Sequence, residues 1–484
     1  MTLFPDNSQF QIWVTTWQRK YNLPGLFYVD LWPLGPTQLV VTDPDLAQHF
    51  VSPNMYPKHW FEARALDPVV GEGGMITSNG AHWKYLHKAI APAFSVTNVR
   101  ALTPKVAEQA MRFHSVVEKL AKSGEVFKME GIMTALAFDV VLKIAFDIDL
   151  DAQTKGSEAL DALKAMTGVF HKERDATNPF TRYKWRSVRL KNRAILDPFV
   201  RKLINDRWVA ITAARDSTTE LGRRSGLPIV DLLLRDRIEE ARGEGVPPTL
   251  DAKFTEVITT QIKTMLAAGT GTTASTIGFI YMILSENPDI LERLRDEHDR
   301  VFTPGTNATY AMLQETPHKI SELDYTTGVI KEALRFFVVA QTVRTTEGTS
   351  ITSVTYNGRE YPLKGQMILP TPHTMHMDPK YFPNPKKFDP DRWSRNESPA
   401  NAFRPFERGQ RACIGQTLAM DEMRIVLLLT ARDFDFKCEG LKPYAKPAVD
   451  WQDLDLVFGD MAYQDNMFEA RPRNGMPMRV KRHM

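Results

Sequence analysis

A stretch of 21 residues without a charged side chain, residues 264–284, places the strongest constraint on how this chain can fold. A run of that length is long enough to cross a membrane as a helix. It contains five threonines, one serine and three glycines, however, which makes it too polar for a span facing lipid. We therefore predict a buried helix with a polar functional face.

Helical spacing also extends over much of the rest of the chain. The segments that carry it are residues 104–122, 160–172, 194–214, 254 onward, 287–302, 325–336 and 418–430. Strand signals are limited to residues 37–42 and 350–369, where Asn357-Gly358 indicates a hairpin turn. We predict a fold that is mainly α with a smaller β-rich subdomain.

No segment of the 484 residues has the composition of a linker between domains. The most polar connection, residues 213–248, is interrupted by a mostly apolar run at 229–234, which favours a surface excursion between helices. Lys and Arg total 61 against 58 Asp and Glu, and a net charge of +3 gives no electrostatic case for nucleic-acid binding. We predict a single domain spanning residues 1–484, acting as a monomer.

Two cysteines, Cys413 and Cys438, are too few for a disulfide framework in a chain of this length. Neither has a second Cys or a His at the spacing of a zinc site. Residues 1–9 show no basic region followed by an apolar one, so no signal peptide or membrane anchor is visible. As it stands, the chain is expected to be soluble and cytoplasmic.

The segment Phe406-Glu-Arg-Gly409-Gln-Arg411-Ala-Cys413-Ile-Gly415 lies between a proline-rich meander and the start of a helix. Backbone N–H groups at a helix N-terminus can stabilise a cysteine thiolate as a metal ligand. The two glycines let the backbone turn tightly and approach a flat cofactor. Arg411 can pair with an anionic group of that cofactor, and Phe406 can shield the sulfur from water. The alternative interpretation is a buried free cysteine after a loop.

The pattern Phe-x-x-Gly-x-Arg-x-Cys-x-Gly resembles the haem-binding signature of the cytochrome P450 superfamily, and all five specified positions match. The resemblance implies that Cys413 is the iron ligand of haem b. It also implies the fold of that family, a triangular prism of helices around a buried haem. In its general character the sequence most resembles those of eukaryotic members, especially fungal enzymes of secondary metabolism.

Three further residues resemble the buried structural network of the family. Glu332 and Arg335 form a Glu-x-x-Arg pair on one face of a predicted helix. Arg392 lies in a segment, Phe388-Asp-Pro-Asp-Arg-Trp393, that is similar to the partner segment of that pair. A guanidinium on each side of a buried carboxylate suits a role in locking the fold.

Other matches concern the haem propionates. Arg344 lies nine residues after Arg335, near the spacing at which many relatives place a propionate partner. Trp83 and His87 fall on a helix that resembles the one whose Trp and basic residue reach the propionates. His87 stands where the more usual residue is Arg, and the charge of a histidine depends on pH. Lys88 is the alternative candidate for the basic residue in place of that Arg.

The uncharged helix carries the main departure from the family. Residues 268–273, Ala-Gly-Thr-Gly-Thr-Thr, resemble the oxygen-activation segment, in which Thr272 matches the threonine of a proton relay. Typical members carry an acidic residue where this chain has Gly271, so proton delivery would run through Thr272, Thr273, Thr270 or water. The alternative is that Thr272 bonds the carbonyl four residues back along its helix.

Five apolar residues are candidates for lining the substrate pocket by resemblance. They are Ala267, Ala268, Val338, Val339 and Met461. A hydrophobic small-molecule substrate follows from the resemblance.

The predicted function is a haem-thiolate monooxygenase that oxidises such a molecule with O2. No dinucleotide-binding Gly motif occurs, which implies a separate NADPH-cytochrome P450 reductase, or cytochrome b5, as electron donor. If an anchor precedes this sequence, we expect the enzyme at the endoplasmic-reticulum surface. The alternatives are non-hydroxylating haem-thiolate chemistry, such as coupling, desaturation, isomerisation or peroxide use, and a non-catalytic haem-binding protein.

Overall fold

The computed structural model describes residues 3–32, 35–52, 55–213, 226–243, 245–246 and 248–484. The helices are α1 Phe10–Lys20, α2 Pro44–Val51, α3 Trp60–Val70, α4 Gly80–Ile90, α5 Val96–Ala101, α6 Thr103–Ser123, α7 Met129–Phe146, α8 Ala152–Lys155, α9 Glu158–Gly168, α10 Phe170–Arg174, α11 Pro179–Ala213, α12 Ile229–Gly243, α13 Ala252–Ser285, α14 Pro288–Val301, α15 Thr306–Glu315, α16 Asp324–Phe336, α17 Pro372–His376, α18 Gln416–Thr430 and α19 Asp455–Phe458. The strands are β1 Leu26–Val29, β2 Gln38–Val41, β3 Phe127–Lys128, β4 Ser353–Tyr356, β5 Arg359–Pro362, β6 Met367–Pro370, β7 Phe434–Cys438, β8 Asp465–Asn466, β9 Ala470–Arg471 and β10 Pro477–Arg482.

The strands form small sheets at the edges of the helical body. In one sheet β2 pairs antiparallel with β1 and parallel with β6, and in another β10 lies between β3 and β7. The hairpins β4–β5 and β8–β9 complete the described sheets. At the β4–β5 turn Asn357 and Gly358 have φ of 50° and 74°, as a turn with two left-handed residues requires. The predicted hairpin and the mainly α architecture are both present.

The predicted central helix is α13, which runs for 34 residues. The Asp251 side chain accepts a hydrogen bond from the Phe254 N–H (2.8 Å) and so caps its start. The helix packs along α7, and residues 277–284 lie in the main apolar core, where the Phe279 ring stacks on Phe337 at 4.2 Å. Burial on all sides explains the absence of charge. Within the described ranges no helix combines the length and apolarity needed to cross a bilayer.

Two predicted helices differ in their bounds. The segment predicted as one helix at 160–172 divides at Val169 into α9 and α10. The helix predicted from 194 begins at Pro179 instead. Its first turns carry exposed Phe180 and Tyr183 among basic residues, so no apolar stripe marks them as helical.

The polar connection at 213–248 contains α12, whose apolar residues Ile229, Val230 and Leu234 are buried. The apolar run in that connection is therefore the buried side of a helix. Residues 214–225 and the prediction made for them lie outside the described residues.

Candidate active site

Cys413 lies immediately before α18, in a loop that folds back on itself. Its N–H donates to the Phe406 carbonyl (2.8 Å), and its own carbonyl accepts from the Gln416 N–H (3.3 Å). Gly409 has φ of 76°, and a Cβ there would come within 2.5 Å of the Val51 carbonyl oxygen, so only glycine fits. These constraints fix the position of the thiol at the helix N-terminus.

Cys413 is exposed because it lines a cavity, while protein atoms pack closely around the sulfur on its other sides. Burial raises the pKa of Cys413, while a hydrogen bond from the Gly415 N–H lowers it. A Cβ on Gly415 would lie 4.0 Å from the Cys413 sulfur, which shows how closely the backbone approaches it. A cation bound at the sulfur would favour the thiolate, because a coordinating thiol loses its proton.

The cavity encloses about 350 Å³ within which the centre of a water molecule can move. One wall is formed by the Cys413 loop and the start of α18, including Phe406, Arg411 and Gly415. Another is formed by α13. Its lining residues there are Thr264, Met265, Ala268, Gly269, Thr272, Thr273 and Thr276. The arrangement places a polar helix face and a thiol on one shared cavity.

One end of the cavity is rich in positive charge. Arg411 donates through Nη2 to the Ser78 carbonyl (2.7 Å), and its guanidinium lies 4.5 Å from the centre of the Trp83 ring. Its Nε and Nη1 are buried without a hydrogen-bond partner among the described residues. Burial lowers the pKa of Arg411 to about 10.

Lys58 is a member of this cluster that no sequence motif indicated. It lines the cavity, and its ammonium donates to Glu62 Oε1 (2.7 Å) and Thr342 Oγ1 (2.5 Å). Burial lowers its pKa to about 8, and Glu62 raises it. Arg344 and Arg411 lie near Lys58, and Arg404 pairs with Glu407 on the same cavity. Four cations thus face two carboxylates, those of Glu62 and Glu407, in this part of the described chain. A cofactor with two carboxylates would balance the excess positive charge of this cluster.

Arg344 does not itself line the cavity. Its Nη1 donates to the hydroxyl of Thr342 (2.8 Å), which does. Its backbone bonds Ile368 in both directions (2.8 Å each), which holds this strand-like segment beside β6. We therefore place Arg344 one layer behind the cavity wall.

Trp83 and His87 both line the cavity from α4, with ring centres 4.8 Å apart. Their spacing of four residues puts them on one helix face, as the sequence suggested. Lys88 is exposed and lies outside the described lining, so it does not replace His87 at the cavity.

On α13, Thr272 lines the cavity and its hydroxyl donates to the Ala268 carbonyl at 2.6 Å. The hydroxyl of Thr276 makes the corresponding bond to the Thr272 carbonyl (2.8 Å). The structure thus shows the intrahelical bond that was the alternative interpretation of Thr272, while keeping the residue on the cavity. Thr273 also lines the cavity, whereas Gly271 faces away from it.

Of the five apolar pocket candidates, Ala268 and Val339 line the described cavity. Ala267, Val338 and Met461 are not among the residues that line it. Ala267 is one residue, or about 100°, round the helix from Ala268 and packs into a separate apolar cluster. Val338 is adjacent to Val339 in non-helical backbone and is buried away from the cavity, and Met461 belongs to the main core.

Glu332, Arg335 and Arg392 form a buried cluster. Arg335 Nη2 and Nε lie 2.7 and 3.1 Å from the two oxygens of Glu332, and Arg392 Nε lies 3.5 Å from Oε1. The Trp393 indole and the Asp389 N–H also donate to this carboxylate. All three charged side chains are at most 1% exposed, so the pairing compensates charges that water does not reach.

His376 connects this cluster to the Cys413 loop. Its Nδ1 lies 3.1 Å from the Arg335 carbonyl, and its Nε2 lies 3.0 Å from the Arg404 N–H. A neutral ring donates at the first contact and accepts at the second. Burial and the Arg335 charge hold its pKa well below the usual range, which matches that tautomer. No motif in the sequence indicated this link.

The comparisons with known proteins agree with this geometry. The family model described as Cytochrome P450 matches residues 16–449. The chain belongs to the cytochrome P450 family. The cytochrome P450 monooxygenase acrF of Aspergillus aculeatus is 29% identical over 98% of each chain. The cytochrome P450 monooxygenase polC of Polytolypa hystricis is 28% identical over 99% of this chain and 85% of its own.

Among solved structures, the crystal structure of a cytochrome P450 (CYP102L1) has a TM-score of 0.76 at 19% identity, covering 99% of both chains. The predicted P450 fold and the predicted class, an oxidoreductase of the P450 monooxygenase type, are therefore confirmed. Membership implies a haem-thiolate cofactor, O2, a hydrophobic substrate and a redox partner. The unpaired guanidinium nitrogens and the thiol at the cavity fit that cofactor.

Proposed function

We propose that this P450 binds haem b through Cys413 and oxidises a hydrophobic small molecule, a secondary metabolite of the kind made by fungi. The reaction combines substrate, O2, two electrons and two protons, and yields oxygenated product and one water. The observation that carries the proposal is that the Cys413 thiol and a polar stretch of α13 line the same cavity. When bound, the haem supplies the oxidising chemistry and the protein positions the substrate and the protons.

The charged end of the cavity supports a set of cofactor contacts. Arg411 and Lys58 would hold the two propionates directly, since both have buried cationic groups on the cavity. Trp83 and His87 would contact the same groups from α4. Arg344 would act through Thr342, whose hydroxyl it orients. Phe406 and Gly415 would flank the sulfur.

The substrate class follows from the other walls. Beyond the polar stretch of α13, the lining is mostly apolar, with Met75, Ile76, Val141, Ile144 and Val339 among its members. Such walls remove apolar surface from water and offer few partners to polar groups. Relatives named as fungal monooxygenases support the assignment to secondary metabolism.

Electrons would come from a separate NADPH-cytochrome P450 reductase, with cytochrome b5 as a second donor. Residues 1–484 would act as one catalytic domain and as a monomer, at the endoplasmic-reticulum surface. Fractionation of cells expressing the full natural protein tests the location, and size-exclusion chromatography with light scattering tests the monomer.

Two cysteine variants test the ligand assignment. Cys413→Ser should lose the red-shifted absorption band of the reduced carbon-monoxide complex, because serine supplies no thiolate. Cys438→Ser is the matched control. That thiol is buried and accepts a hydrogen bond from Ser285, and it lies outside the described cavity lining. A normal band in Cys413→Ser, or a lost band in folded Cys438→Ser, would overturn the proposal.

A second candidate function is haem-thiolate chemistry that does not insert oxygen. Gly271 favours it, because the helix lacks an acid at that position. Product analysis with 18O2 separates the two, since oxygen insertion labels the product and coupling, desaturation or isomerisation does not. A protein that binds haem but oxidises no NADPH with a reductase across a panel of apolar compounds would instead be non-catalytic.

A further inference from the structure

The side of α13 that faces away from the cavity is covered at Gly271 by a carboxylate from a distant segment. A Cβ placed on Gly271 would lie 2.0 Å from Glu469 Oε1 and 2.3 Å from its Cδ. While the Glu469 carboxyl keeps this position, those distances leave no room for a Cβ at 271. A glycine inside a helix costs about 0.5–1 kcal/mol relative to alanine, so its presence here needs a reason. The carboxyl of Glu469 provides one.

Glu469 is held in place by its own hairpin. It ends the loop between β8 and β9, and the next residue, Ala470, donates its N–H to the carbonyl of cavity-lining Val339 at 2.8 Å. The neighbouring Phe468 ring lies 5.3 Å from Phe170. The loop is therefore tied to the cavity wall on one side and to α10 on the other.

Only one of the two oxygens of the Glu469 carboxyl has a hydrogen-bond partner among the described residues. Arg471 Nε lies 2.5 Å from Oε1, whereas Oε2 is buried with no hydrogen-bond partner in the part of the chain that the structure describes. The side chain is 2% exposed. Burial raises the pKa of Glu469, Arg471 lowers it, and Glu130 raises it. An unpartnered buried oxygen of this kind is a place for a proton or a bound water.

A polar path leads from this carboxyl towards solvent. Arg471 also donates to Thr167 Oγ1 (2.9 Å) and lies 3.4 Å from Glu130 Oε1. The Glu130 side chain is 26% exposed. These contacts join the buried carboxyl, through Arg471, to a side chain that reaches solvent.

On its other side the carboxyl meets the turn of α13 that carries Gly271 and Thr272. The hydroxyls of Thr272 and Thr276 both donate to carbonyls four residues back, and such bonds weaken and bend a helix. A water that inserts into the helical hydrogen-bond ladder is one recognised cause of such a bend. Thr270, which precedes Gly271, also has a buried hydroxyl without a described partner.

We propose that Glu469 is the proton-positioning residue of this active site and acts across the Gly271 turn on water and the Thr272 hydroxyl. Its protonated carboxyl gives a proton to a water in the turn, which passes it to the cavity side. The carboxylate left behind is stabilised by Arg471 and takes a new proton at its unpartnered Oε2 from water. Each turnover of the proposed function, on which this inference rests, consumes two protons, and the carboxyl is unchanged at its end.

The geometric part is tested by thermal unfolding of the haem-loaded protein. Gly271→Ala should lower the Tm, because the new methyl group displaces the carboxyl. In a Glu469→Gly background the same change should cost little or raise the Tm, since the space is then free. Equal effects of Gly271→Ala in both backgrounds would show that the two residues do not meet, and would overturn the proposal.

The proton role is tested on haem-loaded protein without substrate or reductase. Dithionite-reduced protein is mixed with O2-saturated buffer, and its reoxidation is followed in H2O and in D2O. Glu469→Gln should slow the reaction about tenfold and change the solvent isotope effect. Glu469→Asp should recover most of the rate, and Glu158→Gln, a change on the exposed start of α9, serves as control.

A carboxyl exchange completes the test and covers the case in which Glu469→Gln folds poorly. The double variant Gly271→Asp/Glu469→Gly moves the carboxyl onto α13 and should keep at least a third of the wild-type rate. An unchanged rate and isotope effect in Glu469→Gln would refute the role of Glu469. A rate below a third of wild type in the exchange variant would refute it as well. Loss of the red-shifted carbon-monoxide band in wild type would instead refute Cys413 ligation and so the proposed function.

Discussion

Replacing Glu332 by Gln removes a buried negative charge that lies between two guanidinium groups. The carboxylate accepts two hydrogen bonds from Arg335 and one each from Trp393 and the Asp389 N–H, with Arg392 at 3.5 Å. An amide keeps the shape but turns an N–H2 group towards one of these donors. The guanidinium groups of Arg335 and Arg392 would then be buried with no carboxylate of the described chain within 3.5 Å.

The expected cost follows from the burial of the partners. Arg335 is fully buried and Arg392 is 1% exposed, and breaking such a pair by removing one partner costs about 3–5 kcal/mol. An unfolding entropy of about 2 cal/mol/K per residue gives this chain about 1 °C of Tm per kcal/mol. We therefore expect Glu332→Gln to lower the Tm by about 3–5 °C, and to speed haem loss because His376 ties this cluster to the Cys413 loop.

The matched control is Glu397→Gln. Glu397 also lies near Arg392, at 3.9 Å, but its side chain is 32% exposed and pairs mainly with exposed Arg395. Its replacement should leave the Tm unchanged. The assay is differential scanning calorimetry on both haem-loaded variants, with urea unfolding as a second measure. A Tm for Glu332→Gln within 1 °C of wild type, or equal losses in both variants, would refute the argument from burial.

Three further predictions follow from the site and its surroundings. Arg411→Gln removes a charged hydrogen-bond donor worth about 1.5–3 kcal/mol, so haem transfer to apomyoglobin should be at least ten times faster than in wild type. Burial lowers the pKa of His373 to about 3 and those of His298 and His376 well below the usual range. These rings gain protons only on unfolding, so the free energy of unfolding should fall as the pH drops below about 6.5, by up to about 1.4 kcal/mol per pH unit for each ring, in urea titrations. Ala268→Phe should fill part of the cavity and abolish the spin-state shift given by bulky apolar compounds while leaving the carbon-monoxide band in place.

The sequence predicted those elements whose structure depends on residues that are close together in the chain. The Cys413 loop shows its function in ten consecutive residues, because the tight turn, the helix start and the cofactor contacts all need particular residue types at fixed spacing. The buried length of α13 was equally clear from its lack of charge. In contrast, the start of α11 is exposed on most sides, so it has no apolar stripe to reveal it.

The contacts that the sequence left hidden join segments far apart in the chain. Lys58 reaches the cavity beside Arg411, and His376 bonds both Arg335 and Arg404. No spacing rule relates residues so distant, and each lies among neighbours of ordinary composition. The pocket candidates show the same limit at short range, since Val339 faces the cavity and Val338 does not.

Gly271 shows how a residue considered alone can mislead about chemistry. On the helix it signifies a missing acid, and that was the reason to favour reactions without oxygen insertion. In the folded chain the glycine makes room for Glu469, so the space beside the turn holds a carboxyl after all. The case for the rival chemistry therefore depends on what Glu469 does. If the exchange of this carboxyl between the two segments preserves the reoxidation rate, Gly271 ceases to count against a monooxygenase. If it does not, the non-inserting reactions regain their strongest support.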